Sequence, residues 1–271
     1  MTKRRWFTIA LASTLVLGCG DDENGSGSSS TASSGVTGGG GTTSSSSTGG
    51  AGGAGGSGGS GAGGSGGGGS CAAELEEALG PIDMVSMGQV TVLATQGATT
   101  TLFVDASAGG SMAQKDNPWI YVSLAGGAKV DVTDETAYTS TEWDVALKRP
   151  LLRSNSGDGG PGNGGAAFLE GATFAEVTAA DAQGASLSPE DWFDAACVLQ
   201  TDPSGAILTS FSGWYDYDMT TMTVSPHPGV FVVRGGDGAL YKLAILDYYA
   251  TEDGGTGMAG GRYKIDVAVL P

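Results

Sequence analysis

The sequence predicts a mainly β fold: a single all-β domain with one or two short helices, set behind a disordered tether. Three observations lead there. From residue 71 onward the chain breaks into short segments that alternate with period two or are rich in β-branched and aromatic residues. Turn-forming clusters of Gly, Asp and Asn separate these segments. Helical periodicity, by contrast, is confined to two brief stretches.

The amino terminus reads as an address. Lys3, Arg4 and Arg5 precede an apolar run from Trp6 to Leu17, which is too short to span a bilayer but suits a secretory signal. The run ends Val16-Leu17-Gly18-Cys19, which resembles the lipobox of bacterial lipoproteins. That resemblance implies removal of residues 1–18 and lipidation of Cys19. From residue 20 to 70, 42 of the 51 positions are Gly, Ser or Thr, a composition that cannot bury a core. Residues 19–70 therefore form a lipid-anchored flexible tether with an r.m.s. span of roughly 40 Å. Residues 71–271 are left as the folded domain, long enough for one well-buried core.

Charge and cysteine usage narrow the function. The chain carries 12 basic and 29 acidic residues, a formal net charge of −17, and a single histidine. Nucleic acid and anionic membrane surfaces are poor partners for such a chain. One histidine excludes His-based metal clusters and most acid–base catalytic designs. Neither a nucleophile elbow nor a phosphate-binding loop is present, and the glycine-rich stretch 157–165 lacks the acidic spacing of a calcium loop. The expectation is a protein that is not an enzyme. With Cys19 lipidated in an oxidising compartment, Cys71 and Cys197 are expected to form a disulfide.

Strands are expected at 89–95, 100–105, 119–124, 129–133, 142–148, 207–217, 230–234, 240–248 and 262–270. The last is the clearest, with Tyr263, Ile265, Val267 and Val269 on one face. Gly235-Gly236-Asp237-Gly238 marks a hairpin. The helices are expected at 72–79 and at 188–193, where Ser188 is a candidate N-cap and Pro189 follows it.

Two stretches carry a family resemblance. Trp143-Asp144-Val145-Ala146-Leu147-Lys148-Arg149, followed by Arg153-Ser154-Asn155 and a glycine-rich loop, resembles the HmuY family of exported haem-binding lipoproteins. The carboxyl half agrees, with Val232-Val233-Arg234, Asp237-Gly238, Tyr241 to Ile245, Tyr248-Tyr249 and a final strand from Tyr263. Read as structure, Trp143, Val145 and Leu147 face the core and Asp144 pairs with Arg153 across strands. Asn155 and the following glycines supply positive-φ positions.

The resemblance implies an all-β, hand-shaped domain that holds one haem between loops through axial side chains, His or Met. Lys148 stands where a histidine would be sought in the Trp-Asp motif. The candidates are then Met219 and Met222, in Trp214-Tyr215-Asp216-Tyr217-Asp218-Met219-Thr220-Thr221-Met222, and the single histidine, His227. Flat rings in the same segment are suited to cover a porphyrin face. The function implied is a membrane-anchored haem carrier of the cell envelope, at the outer membrane or cell surface, that passes haem to an outer-membrane transporter. The alternative is a non-catalytic structural or interaction module on the same scaffold without haem.

Overall fold

The computed structural model describes residues 71–203 and 205–271; the signal segment, Cys19 and the tether through residue 70 lie outside the described residues. The strands in chain order are β1 Val90–Gln96, β2 Thr99–Asp105, β3 Ile120–Ser123, β4 Ala128–Val130, β5 Val145–Lys148 and β6 Leu151–Ser154. They continue with β7 Gly165–Glu170, β8 Tyr215–Asp218, β9 Thr223–Pro226, β10 Gly229–Arg234, β11 Leu240–Asp247 and β12 Arg262–Val269. Three short helices accompany them: α1 Ala72–Leu79, α2 Asp134–Ala137 and α3 Ala179–Gly184.

The strands form a six-stranded antiparallel sheet in the order β1-β2-β12-β11-β10-β7 and a four-stranded sheet in the order β4-β3-β5-β6. A two-stranded ribbon, β8-β9, stands apart. The inner faces of the two large sheets share one core, to which β5 contributes Val145 and Leu147 and β12 contributes Tyr263 and Ile265. Both outer faces are covered in part as well. On β10, Phe231 and Val233 enter the shared core while Val230 and Val232 enter a second cluster with Val177 and Ala182 of the α3 region. Burial on both faces explains why this strand reads as a continuous apolar run and not as an alternation.

The smaller sheet's outer face carries the third cluster, with Trp119, Tyr121, Trp143 and Ala146 beneath α2. Trp143 is therefore buried, but on the opposite side of its sheet from Val145 and Leu147. Asp144 and Arg153 do not pair. The Asp144 carboxyl oxygens accept from the backbone N–H groups of Leu124 at 2.7 Å and Gly236 at 3.0 Å, the second of these in the β10–β11 turn. Arg153 instead sits among aromatic rings.

Several local expectations are corrected. The 207–217 segment yields only β8, because Ser210 is drawn to Glu190 and because Phe211 and Trp214, three apart, both enter the core. Residues 188–193 are extended, not helical. Ser188 exchanges both backbone hydrogen bonds with Ala166, and Glu190 and Trp192 are buried with exposed Asp191 between them. The strands β6, β7 and β9 and the helices α2 and α3 lie outside the expected elements. Val269 is 56% exposed, although Ala268 and Leu270 on either side of it are buried. In the glycine loop only Gly157 and Gly165 have positive φ, and Asn155 does not. At Gly160, Gly162 and Gly164 the requirement is close approach, since an added Cβ would strike Asn155.

The Cys71 and Cys197 sulfurs are bonded, with Cα atoms 5.4 Å apart and 126 residues apart in sequence. The bridge ties the residue that opens α1 to the middle of the chain. Opening a loop of that length returns entropy to the unfolded chain worth about 2–5 kcal/mol. Cys197→Ser is accordingly expected to lower the melting temperature by roughly 5–15 °C. Calorimetry with and without a reductant measures it, and an unchanged transition on full reduction would show that the bridge contributes nothing.

Candidate functional site

The β8-β9 ribbon carries the expected ligand residues at its two ends, the methionines in its turn and His227 just past its base. Its strands pair from Tyr215 opposite Pro226 to Asp218 opposite Thr223, and the turn between them holds Met219 and Met222. Asp218 builds that turn, its Oδ1 accepting from the N–H groups of Thr220 at 2.7 Å and Thr221 at 3.3 Å. Met222 closes it in the left-handed region at φ +58. A side chain other than glycine in that conformation costs of order 1 kcal/mol and is held there by its surroundings. The result is an exposed thioether, 67% accessible, whose Sδ accepts a hydrogen bond from Tyr217 Oη at 3.2 Å. Met219 is 81% exposed and extends from the same turn.

Beside the ribbon lies a cleft of about 580 Å³, within the ordinary range for a small-molecule site. Its floor is Pro150, Leu151 and Leu152 at the start of β6, and its walls are the 206–213 loop and Trp214 to Tyr217. The wall is firmly built. Trp214 Nε1 donates to the Pro150 carbonyl at 2.9 Å, and its ring lies against those of Tyr215, Tyr248 and Tyr263, with centroids 4.7, 5.8 and 5.6 Å away. Burial pushes the Tyr248 phenol up to about 12, so this aromatic group stays neutral at all ordinary pH. The ribbon is seated on the same group, Val224 N–H donating to Tyr249 Oη at 2.9 Å.

His227 follows β9 and is already engaged. Its Nε2 lies 2.9 Å from Asp216 Oδ2, and its backbone N–H donates to the Trp214 carbonyl at 2.8 Å. The Asp216 hydrogen bond, with help from Gly213 and the charge of Glu170, raises its pKa above the ordinary histidine value. The sign follows directly: what this contact adds to stability is fully present below the unfolded-state pKa and is lost as pH rises through the raised folded value. In an NMR titration the imidazole midpoint is expected above that of a free histidine, and Asp216→Asn is expected to return it. A wild-type midpoint at or below the free value would contradict the contact.

The structure thus separates the candidates, with Met219 and Met222 in the turn of the ribbon and His227 past its other end, and does not place any of the three among the cleft-lining residues. The link to the cleft is Tyr217, which lines it and holds the Met222 sulfur. In the sequence Tyr217 is only a flat ring; its partnership with a methionine five residues on depends on a turn that residue spacing does not reveal. Thioether, phenol and aromatic faces suit a planar apolar ligand with a soft or borderline metal centre. Among the described residues, no group of three or more His, Cys, Asp or Glu side chains could hold a bare metal ion, and no helix is long and apolar enough to cross a membrane.

Comparison with known proteins gives one family match. The family model described as HmuY protein matches residues 115–263, more than half of the chain. No curated protein matches it. Among solved structures, a candidate lipoprotein of Bacteroides fragilis is 14% identical, with 66% of this chain and 94% of that one covered and a TM-score of 0.40. A candidate HmuY-like haem-binding protein of Bacteroides vulgatus is 16% identical, with coverages of 68% and 97% and a TM-score of 0.39. The apo HmuY analogue of Tannerella forsythia is also 16% identical, with coverages of 70% and 94% and a TM-score of 0.32.

Proposed function

The chain belongs to the HmuY family, and from that membership we propose that it is an exported, lipid-anchored carrier that binds haem without transforming it and hands it to an outer-membrane uptake system. The observation that carries the reading is the aromatic-walled cleft whose lining Tyr217 holds the exposed Met222 sulfur at 3.2 Å. The residues present fit the faces of a haem. Trp214, Tyr215 and Tyr217 would flank the ring, and the Met222 thioether would supply an iron ligand, with Met219 beside it. A methionine left 67% exposed packs little against the fold, which is a second support for ligation.

The test is a haemin titration of the purified protein, followed by absorbance in both oxidation states. Saturable one-to-one binding with a low-spin spectrum is expected. Met222→Ala is expected to lose that spectrum and weaken binding about tenfold or more, with a smaller effect from Met219→Ala. His227→Ala is expected to keep the spectrum, because its Nε2 is already matched to Asp216 and it lies past the far end of the ribbon from Met222. The engagement of His227 is also what favours the second reading, an interaction module that keeps the scaffold without haem. A flat titration would establish it. Anchoring rests on the Cys19 motif and would be checked by acyl labelling, which Cys19→Ser should abolish.

A further inference from the structure

The charges around the cleft bear on which part of a porphyrin it recognises. Of the residues that line it, only Asp202 and Asp216 are charged, and both are acidic. The basic side chains nearest in sequence to the floor are turned to other tasks, Arg153 being buried among the aromatic rings of the third cluster. Arg149 Nη1 donates to the Gly260 carbonyl at 2.6 Å. Lys148 feels the charges of Asp134, Arg153 and Asp116, none of which lines the cleft. His227 lies beside the cleft wall, and its Nε2 is matched to Asp216. The chain as a whole carries −17. Haem brings two propionates, and carboxylates that enter a cleft without a guanidinium or ammonium meet repulsion where bidentate pairing would otherwise hold them.

We infer that this cleft recognises the apolar face and edge of a planar macrocycle and leaves its carboxylates in solvent, so that it binds a neutral porphyrin at least as well as an anionic one. The inference rests on the reading of the cleft as the haem site. It assigns Asp202 a part in specificity: its Oδ1 accepts from the Ala206 N–H at 3.0 Å, which fixes the carboxyl at the cleft wall. An asparagine at that position keeps the acceptor and removes the charge.

The protein is titrated with haemin and with its dimethyl ester, at low salt and at about 0.5 M salt, where exposed charges are largely screened. The ester is expected to bind equally or more tightly. Haemin affinity is expected to rise severalfold with salt while the ester's stays level. Asp202→Asn is expected to raise haemin affinity about threefold without changing the ester, and Asp202→Lys to reverse the preference in favour of haemin. An ester that binds tenfold more weakly than haemin, or a haemin affinity that falls with salt, would overturn the inference while leaving the haem reading intact. If neither porphyrin binds saturably, the haem reading itself falls.

Discussion

Arg153→Ala is expected to cost about 3–5 kcal/mol of stability, the range for uncoupling a buried charge from its partners. The guanidinium is 1% exposed and lies 4.6 Å from the Trp119 ring centroid, with Tyr121, Tyr138, Trp143 and Trp192 each within 5.7 Å. Its Nη2 donates to Tyr121 Oη at 2.7 Å and its Nη1 to Tyr138 Oη at 2.9 Å. Tyr121 Oη donates in turn to Asp134 Oδ1 at 2.9 Å, so the buried cation and the buried carboxylate meet through a phenol. Removing the side chain takes away desolvated cation–π contacts and leaves a hole beneath α2.

Arg153→Met separates charge from volume. The methionine fills the space, so the remaining deficit reports the electrostatics. Asp134, whose pKa burial already raises, then has lost the cation that lowers it. A carboxyl group with a folded pKa above its unfolded one destabilises the fold at high pH and ceases to do so as pH falls through the folded value. The gap between Arg153→Met and wild type is therefore expected to narrow from pH 7 to pH 5. Thermal melts at both values measure it. A gap that widens toward acid would place the penalty elsewhere than Asp134.

How far the sequence leads differs between scaffold and site. Strands such as β12 and β10 are legible because alternation or an apolar run records which faces are buried, and nothing local competes. The hairpin at Gly235 is legible because few residues other than glycine and aspartate make that turn. Residues 188–193 mislead for a physical reason: Ser188 and Pro189 are good helix-start residues, yet Ser188 gains two backbone bonds to Ala166 only when the segment is extended. Tertiary pairing overrides local propensity there.

The same reasoning locates what was hidden in the site. A composition count finds the methionines and the histidine, but it cannot show that His227 is committed to Asp216 or that Tyr217 reaches Met222. The sequence suggests Arg153 as half of an ion pair because Asp144 lies one strand away. The Asp144 carboxyl is instead claimed by two backbone amides, leaving aromatic rings as the Arg153 partners. Side-chain identity sets the candidates, and the competition for backbone donors decides among them.

Glu190 is where fold and cleft are joined, and its replacement is expected to damage both. Its Oε1 accepts from Ser154 N–H at 2.7 Å, Ser154 Oγ at 3.1 Å and Ser210 Oγ at 2.6 Å. Its Oε2 accepts from Trp192 Nε1 at 2.9 Å and Ser210 N–H at 3.0 Å. One buried carboxyl group thus ties the end of β6, the 188–193 segment and the loop that forms a wall of the cleft. Glu190→Ala leaves several buried donors without an acceptor, each worth about 1–3 kcal/mol, and a total loss of about 4 kcal/mol or more is expected. Glu190→Gln tests whether shape alone suffices. Its amide nitrogen would face donors in place of an acceptor, so it is expected to recover only part of the loss. In that variant, at a temperature where it remains folded, hydrogen exchange is expected to quicken across residues 209–217 and porphyrin affinity to fall with it. Fast exchange with full affinity would mean that the wall does not hold the ligand, and would move the binding site away from this cleft.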